Sequence, residues 1–243
     1  EKSKVIVHSH SAMVRSGAHH CLVSLLKPLL TMTADFYLAC SELAGKHMFT
    51  QKTIEKEEYK IIKNAIDSEK FRYNKKTRAE YRKEFGVEDE LLIGHVGRAA
   101  VAKNHSFLLE VFNEVHKDNP AAKLILIGAG QLEGAVKKKA YSLGLEQNII
   151  FAGHRNDVNG IMQAMDVFVM PSLFEGLGIV AIEAQAAGLP VVVSNAVPME
   201  AKVSDAFLQL SLELSAEEWA KSILDFVKKH KRGNIEIYVV KAG

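Results

Sequence analysis

The residues that decide the fold are 167–183, which read VFVMPSLFEGLGIVAIE. An apolar strand, Val167–Met170, runs directly into a loop with two glycines, and a segment of helical periodicity follows. Parallel sheets are built from repeated units of strand, loop and helix. The stretch therefore predicts one such unit, with its loop at the carboxyl edge of a sheet.

The same alternation of short apolar runs and longer helical segments continues through most of the chain. With right-handed crossovers it predicts an α/β fold, a doubly wound parallel sheet of the Rossmann-like kind. Helix starts are predicted at Ser41 and Asn104, which have side chains typical of N-caps. The predicted strands are Lys4–His8, Asp35–Cys40, Tyr59–Lys63, Leu91–Val96, Lys123–Gly128, Asn148–Phe151, Val167–Met170 and Val191–Ser194.

Composition indicates an ordinary globular protein. The 243 residues are 48% hydrophobic and 25% charged, with a formal net charge of +2, so no strong electrostatic footprint argues for nucleic-acid binding. Two cysteines, Cys21 and Cys40, are too few for a disulfide framework, and a reducing cytoplasm is expected. The apolar run Cys21–Met32 is shorter than the roughly 20 residues that span a bilayer, so we interpret it as a helix packed on a core.

Two acids flank the glycine-rich helix start. Unpaired backbone N–H groups at such a start favour an anion, which the helix dipole stabilises by roughly 0.3–1 kcal/mol. Glu175 is predicted to lie at the mouth of the loop and Glu183 about one turn inside the helix. Carboxylates there can accept hydrogen bonds from sugar or ribose hydroxyls. The alternative is that both are solvated surface acids.

Two cations follow the predicted strand Leu91–Val96. Arg98 comes just after Gly97, past the end of the strand, and Lys103 stands at the start of the next helix. Ligands of open α/β sheets bind at this edge, where Arg and Lys together can neutralise a diphosphate without a metal. Gly97 would let the backbone approach closely. Taken singly, each cation could equally be a solvated surface residue.

A second glycine-rich loop, 128–134, resembles a dinucleotide fingerprint. Its third glycine comes one residue late, and the next strand is followed by Ala152-Gly153-His154 instead of an acid that would hold a ribose. A redox cofactor is therefore not expected. Gly128 and Gly130 remain candidates to line a nucleotide, and Arg155 and Asn156, in the next polar loop, could sandwich a base.

Together these motifs resemble those of the retaining GT-B glycosyltransferases of group 1, or family 4, especially the bacterial enzymes of capsular and exopolysaccharide synthesis. Gly97-Arg98 followed by Lys103 matches the family's Gly-Arg and Lys, and Glu175 with Glu183 matches its Glu-x7-Glu motif. The family usually has Pro where Gly178 stands. The resemblance covers nearly the whole chain.

The resemblance implies a role for each matching residue. Arg98 and Lys103 would bind the donor diphosphate, Glu175 would act at the transferred sugar, and Glu183 would hold the nucleotide ribose. Backbone N–H groups of Gly178 and Ile179 would serve sugar or phosphate oxygens. Further donor contacts would come from Ser172, Gly176, Leu177 and Val180.

The resemblance also implies a division into domains. Residues 1–63 look like the closing part of the acceptor-binding domain, itself Rossmann-like, 64–230 like the donor-binding domain, and 231–243 like a truncated C-terminal segment. His10 is a second catalytic candidate, since relatives place an acceptor-domain His near the reacting sugar; a His at a strand end, like His8, can also be purely structural. With most of the acceptor domain missing, we expect this chain alone not to turn over.

The function that these expectations describe is transfer of a sugar, with retention, from a nucleoside diphosphate sugar, UDP-sugars being favoured, to a glycan or lipid-linked acceptor. No metal or cofactor is expected: a GT-A enzyme would need an Asp-x-Asp site, and the nearest segment, 88–90, resembles a solvated turn. The family's acceptors suggest a cytoplasmic protein that associates peripherally with the inner face of the cell membrane. The alternatives are a non-catalytic nucleotide-sugar-binding module and an NDP-sugar epimerase of GT-B shape.

Overall fold

The computed structural model describes residues 3–10, 26–29, 33–62, 64–230 and 232. They form two compact units. The first comprises the described part of Glu1–Ala65 together with Phe174–Ile179 and Val197–Ala201, and the second comprises Ile66–Leu173, Val180–Ala196 and the described residues from Lys202 onward. From the sequence we expected one boundary after residue 63, and the segment 231–243 lies outside the described residues except for Arg232.

The first unit contains a three-stranded parallel sheet with the strands in sequence order. Its elements are β1 (Ile6–Ser9), β2 (Phe36–Ala39), α1 (Glu42–Met48), α2 (Gln51–Ile54) and β3 (Tyr59–Ile61). Ser41 caps α1, as predicted, because its side chain accepts a hydrogen bond from the backbone N–H of Ala44.

Aromatic rings hold the first unit together. The buried rings of Tyr37 and Phe49 meet edge to face with centroids 5.6 Å apart, and the ring of Tyr59 meets that of Phe49 in the same way at 5.9 Å. A Cβ on Gly45 would lie 2.0 Å from the Tyr59 hydroxyl oxygen, so only glycine lets α1 approach β3 this closely.

The second unit contains a six-stranded parallel sheet in the order β6-β5-β4-β7-β8-β9. The order reverses between β4 and β7, which is the topological switch point of a doubly wound fold. The strands are β4 (Leu92–Val96), β5 (Lys123–Ile127), β6 (Ile149–Gly153), β7 (Val167–Met170), β8 (Val191–Ser194) and β9 (Phe207–Leu210). The helices are α3 (Ser68–Phe71), α4 (Lys75–Glu84), α5 (His105–Asp118), α6 (Glu133–Ser142), α7 (Val158–Ala164), α8 (Ile179–Ala186) and α9 (Ala216–Lys229).

Both faces of the larger sheet are covered by helices. Ile93 of β4 belongs to a core that includes Phe112 of α5 and Trp219 of α9, and all three side chains are buried. The next residue, Gly94, faces the other way, where a Cβ would strike the Met165 sulfur at the end of α7. This two-sided covering confirms the predicted α/β architecture, and it explains why the central strands are almost entirely apolar instead of alternating.

All eight predicted strands are present in the structure, with ends shifted by a few residues. Lys63, predicted as the end of β3, lies outside the described residues, as does most of the predicted helix Cys21–Met32, of which residues 26–29 are helical. Strand β9 was not predicted from the sequence. Helix α5 begins after Asn104 as predicted, but Asn104 has a left-handed backbone (φ 52°) and its side chain makes no capping bond.

Candidate functional site

The carboxyl ends of β4 and β7 meet at the switch point, where open α/β sheets bind ligands. Arg98 lies two residues past the end of β4, and Ser172 lies two residues past the end of β7. The backbone N–H of Leu173 donates to the carbonyl of Ala102 at 2.8 Å. The loop after β7 is therefore attached to the short 3₁₀ turn, Val101–Lys103, that ends in the predicted diphosphate-binding lysine.

The two predicted diphosphate-binding cations differ in how far their side chains are exposed to solvent. Arg98 is exposed, and no carboxylate pairs with it among the described residues. Lys103 is half-buried at the end of the 3₁₀ turn, and the left-handed Asn104 then starts α5. Both side chains thus belong to one short loop at the switch point, as the sequence predicts.

Gly128 and Gly130 pack the loop after β5 against the loop after β4. A Cβ on Gly128 would lie 2.3 Å from the Gly97 carbonyl oxygen, and one on Gly130 would lie 2.4 Å from that of Ala99. Gly128 also has a left-handed φ of 126°. These contacts account for both glycines without a ligand, and the expectation that they line a nucleotide stays a prediction.

The residues after β7 divide between the two units. In the second unit, Ser172 is buried and its carbonyl accepts a hydrogen bond from the Ser194 hydroxyl at 2.5 Å, which fixes the start of the loop. Val180 and Glu183 follow in α8. Glu183 is half-buried, and burial raises the pKa of its carboxyl while the nearby Lys70 opposes that shift. A partly desolvated carboxylate gains more than an exposed one from a hydroxyl donor.

The loop Phe174–Ile179 belongs to the first unit. Its Gly176 carbonyl accepts a hydrogen bond from the buried Ser41 hydroxyl at 2.6 Å, and Leu177 is 4% exposed. Gly178 has φ 76°, and α8 begins at the next residue, Ile179. The glycine therefore makes the turn into the helix that the sequence predicted. Glu175 lies half-buried in the same loop, and its role at the transferred sugar stays a prediction.

His10, the other catalytic candidate, also lies in the first unit, just past β1. Its exposed ring is tilted over that of His8, with centroids 3.9 Å apart. Burial lowers the pKa of His8, and the neighbouring His10 lowers it further. The two histidines interact with each other, and a catalytic role for His10 stays a prediction.

Arg155, predicted to contact the base, is held by acids in the structure. Its guanidinium pairs with Asp157 at 2.6 Å and with Glu84 at 3.0 Å, and hydrogen bonds to these two acids raise its pKa. The hydrogen bond from Arg155 holds the pKa of Asp157 well below its usual range. A hydrogen bond from the Tyr81 hydroxyl lowers this pKa as well, while burial opposes the shift. The pairing orients Arg155 next to Asn156, whose contact with a base remains a prediction.

A second charged cluster, which sequence reasoning missed, lies at the opposite edge of the same sheet. The carboxylate of Asp166, just before β7, pairs with Arg78 at 2.5 Å and with Arg82 at 3.2 Å. Both guanidinium groups also donate to the backbone carbonyl of Ala164 at the end of α7, and Arg232 donates to the carbonyl of Met162. Burial lowers the pKa of Arg232 to about 9.

A cleft of about 1130 Å³ adjoins this second cluster and not the switch point. Its three arginines, Arg78, Arg82 and Arg232, are already bonded to backbone carbonyls, and the first two also to Asp166, so we interpret the cleft as a groove beside a structural cluster. Among the described residues, no three His, Cys, Asp or Glu side chains are grouped as a metal site would require. In the same part of the chain, no helix has the length and apolar character needed to cross a bilayer.

Two histidines lie behind the Arg98–Lys103 loop. His95 of β4 is fully buried, and His105, the first residue of α5, is 6% exposed. Burial, with smaller contributions from His105 and Lys103, lowers the pKa of His95 to about 3, and burial together with Lys103 lowers that of His105 to about 4. Both rings are therefore neutral at pH 7.

A doubly wound parallel sheet with cations at its switch point defines the class of protein as a Rossmann-like α/β fold, and solved structures refine this. Over 93% of this chain, the fold superposes with a TM-score of 0.80 on 63% of Anabaena Alr3699/HepE, solved in complex with UDP-glucose, at 21% identity. The fold is therefore that of GT-B glycosyltransferases, as predicted.

The chain belongs to the family "Glycosyl transferases group 1", whose profile matches residues 77–236. EpsF of Bacillus subtilis (strain 168), named as a glycosyltransferase, is 34% identical over 226 residues, which cover 90% of this chain and 58% of EpsF. The Escherichia coli UDP-Gal:alpha-D-GlcNAc-diphosphoundecaprenol alpha-1,3-galactosyltransferase is 32% identical over 64% of this chain and 41% of its own length. The match thus spans 58% of the length of EpsF and 41% of that of the galactosyltransferase.

Proposed function

We propose that this chain is the donor-binding part of a glycosyltransferase that moves a sugar from a UDP-sugar, or another nucleoside diphosphate sugar, to a glycan or lipid-linked acceptor in polysaccharide synthesis. One observation carries the proposal: Arg98 and Lys103 share a short loop at the switch point of a group 1 family fold, and the loop after β7 is hydrogen-bonded to it. The UDP-glucose complex of the structural neighbour and the lipid-linked acceptor in the name of the galactosyltransferase support the choice of donor and acceptor.

The chemistry follows from where negative charge develops. When the bond between sugar and diphosphate breaks, the leaving diphosphate gains charge, and fixed cations stabilise that charge in the transition state. Arg98 offers a bidentate guanidinium and Lys103 a compact ammonium for this purpose. We propose that these two groups replace a divalent metal and that the sugar is transferred with retention. Glu183 would accept hydrogen bonds from the ribose, and Glu175 would position the sugar.

The first experiment is thermal unfolding of this chain with UDP-, GDP- and ADP-sugars, each with and without EDTA. A ligand at 100 times its dissociation constant adds about 2.7 kcal/mol to stability, which raises the midpoint by several degrees. We expect one donor class to stabilise the chain equally with and without the chelator. A shift seen only in metal-loaded samples would refute metal independence, and no shift with any donor would refute donor binding.

Binding alone does not separate a transferase from a binding module or an epimerase. The whole encoded protein should therefore be given radiolabelled donor with and without a lipid-linked glycan. A transferase moves label to the acceptor and an epimerase isomerises the sugar without one. A binding module does neither.

A further inference from the structure

The buried histidine pair lies directly behind the loop that carries Lys103. His95 and His105 meet edge to face, with ring centroids 4.7 Å apart and an interplanar angle of 80°. The ring of His95 is also parallel to that of Phe168 on the neighbouring strand, at 6.3 Å. Since His95 is held between two rings inside the sheet, its orientation is fixed.

One hydrogen bond determines where the proton of His95 lies. Its Nδ1 is 2.8 Å from the backbone carbonyl oxygen of Val169. A carbonyl oxygen only accepts, so Nδ1 carries the proton and donates it. The ring is neutral, which leaves a lone pair on Nε2. This Nε2 is buried and has no hydrogen-bond partner among the described residues.

The Nε2 atom of His95 and the side chain of Lys103 both lie next to Gly97. A Cβ built on Gly97 would lie 3.1 Å from His95 Nε2, and it would lie 3.1 Å from both Cδ and Cε of Lys103. The imidazole nitrogen and the end of the lysine stem therefore border the same small space above Gly97. A larger residue at 97 would occupy that space and push the two groups apart.

We propose that His95 is a positioning residue for Lys103, in which the neutral ring supports the lysine stem and the Nε2 lone pair attracts its ammonium. This inference rests on the proposed function, because the ammonium so directed is the one that we propose to bind the donor diphosphate. A neutral acceptor suits this place: a carboxylate would neutralise the lysine, and a second cation would repel it. The ring of His105 packs against that of His95.

The placement can be tested without any nucleotide, by ¹⁵N NMR of the histidine rings in this chain and in Lys103→Met. We expect His95 to show the tautomer protonated at Nδ1, and its Nε2 resonance to shift when the ammonium is removed. His116 is the internal control, because its buried Nδ1 also has no partner and it lies at the far end of α5. An unchanged Nε2 resonance of His95 in Lys103→Met would overturn the proposal.

The effect on binding is tested by titrating UDP into His95→Phe, Lys103→Met and the double variant. We expect His95→Phe to weaken UDP binding on the order of tenfold, as the loss of a polar contact to a charged group does, and to have little further effect once Lys103 is Met. His95→Gln, which keeps an acceptor near the position of Nε2, should bind UDP more tightly than His95→Phe. His116→Phe should bind like the original chain.

Two results separate this inference from the proposed function. An equal loss from His95→Phe with and without the lysine would show that His95 is only structural, and the positioning role would be wrong even though UDP binds. No UDP binding by the unaltered chain would refute the proposed function, and the NMR measurement would then decide the placement by itself. The NMR measurement also decides if His95→Phe does not fold.

Discussion

The two edges of the six-stranded sheet carry similar residues in opposite states. At the amino edge, Arg78 and Arg82 are bonded to Asp166 and to the carbonyls that end α7. At the carboxyl edge, Arg98 is exposed, and no carboxylate of the described chain pairs with it. The difference shows that an arginine indicates a ligand site only where no carboxylate or backbone carbonyl of the protein already binds its guanidinium group. The amino edge should accordingly govern stability, and the carboxyl edge should govern binding.

The largest expected effect is that of Asp166→Ala at the amino edge. The substitution leaves Arg78 and Arg82 partly buried without their carboxylate, and it removes the acceptor for the backbone N–H of Leu92. Breaking a buried ion pair on one side costs about 3–5 kcal/mol. Urea denaturation should show that loss. Asp225→Ala, which removes an exposed pair with Lys228, should cost less than about 0.5 kcal/mol.

Acid should destabilise the chain through the histidines behind the carboxyl edge. The folded state lowers the pKa of His95 to about 3 and that of His105 to about 4, so between pH 6.5 and pH 4 the unfolded chain binds more protons. Stability present above pH 6.5 is then lost as the pH falls, by up to about 1.4 kcal/mol per pH unit for each histidine. Denaturation at several pH values should give a shallower dependence for His105→Phe, and a dependence as steep as that of the original chain would contradict this account of His105.

Gly128→Ala should disturb both stability and binding. An alanine there would have a left-handed backbone and a Cβ 2.3 Å from the Gly97 carbonyl oxygen, so the loop that carries Arg98 must shift. We expect a loss of about 2 kcal/mol in denaturation and weaker UDP binding. Gly134→Ala is the matched control: it lies in α6 with no atom within 4 Å of the new Cβ, and alanine favours helix. Equal losses from both substitutions would contradict this account of Gly128.

The smallest effect on stability is expected from Arg98→Ala. Its exposed side chain should contribute within about 0.5 kcal/mol to folding, yet its loss should weaken UDP binding about tenfold or more, because charge-assisted bonds to a diphosphate are lost. Calorimetric titration and urea denaturation check the two halves. Arg72→Ala removes an equal charge from an exposed ion pair with Glu69 and should change neither. A large stability loss in Arg98→Ala would contradict the expectation that the amino edge governs stability and the carboxyl edge governs binding.

The sequence predicted the sheet well because its strands are buried on both faces. Val167–Met170 is apolar at every position, Val191–Ser194 is apolar up to its last residue, and all eight residues are fully buried, so the pattern of both strands is clear. The edge strand Phe207–Leu210 was missed because three of its four residues are only half-buried and its short run carries no turn signal. Arg98 and Lys103 could be predicted at the carboxyl edge because they follow the end of a clearly recognisable strand within a few residues.

The amino-edge cluster could not be predicted in the same way. Arg78 and Arg82 lie in a strongly charged helix, where the natural interpretation is a solvated face. Their partners, the carbonyls of residues 163–165 and the carboxylate of Asp166, are more than 80 residues away in sequence. Only the packing of α4 on α7 brings them together. The histidine pair was missed for the same reason, since the tautomer of His95 depends on a carbonyl of another strand.

The pairing of β4 with β7 joins residues that are 74 positions apart. Contacts between such distant segments form late in folding, because a long loop must close, at a cost in chain entropy, before these contacts can stabilise the fold. A ribosome delivers the Arg98 loop well before the strand that completes the switch point. Under the proposed function, the nascent chain therefore binds nucleotide only after β7 has emerged from the ribosome.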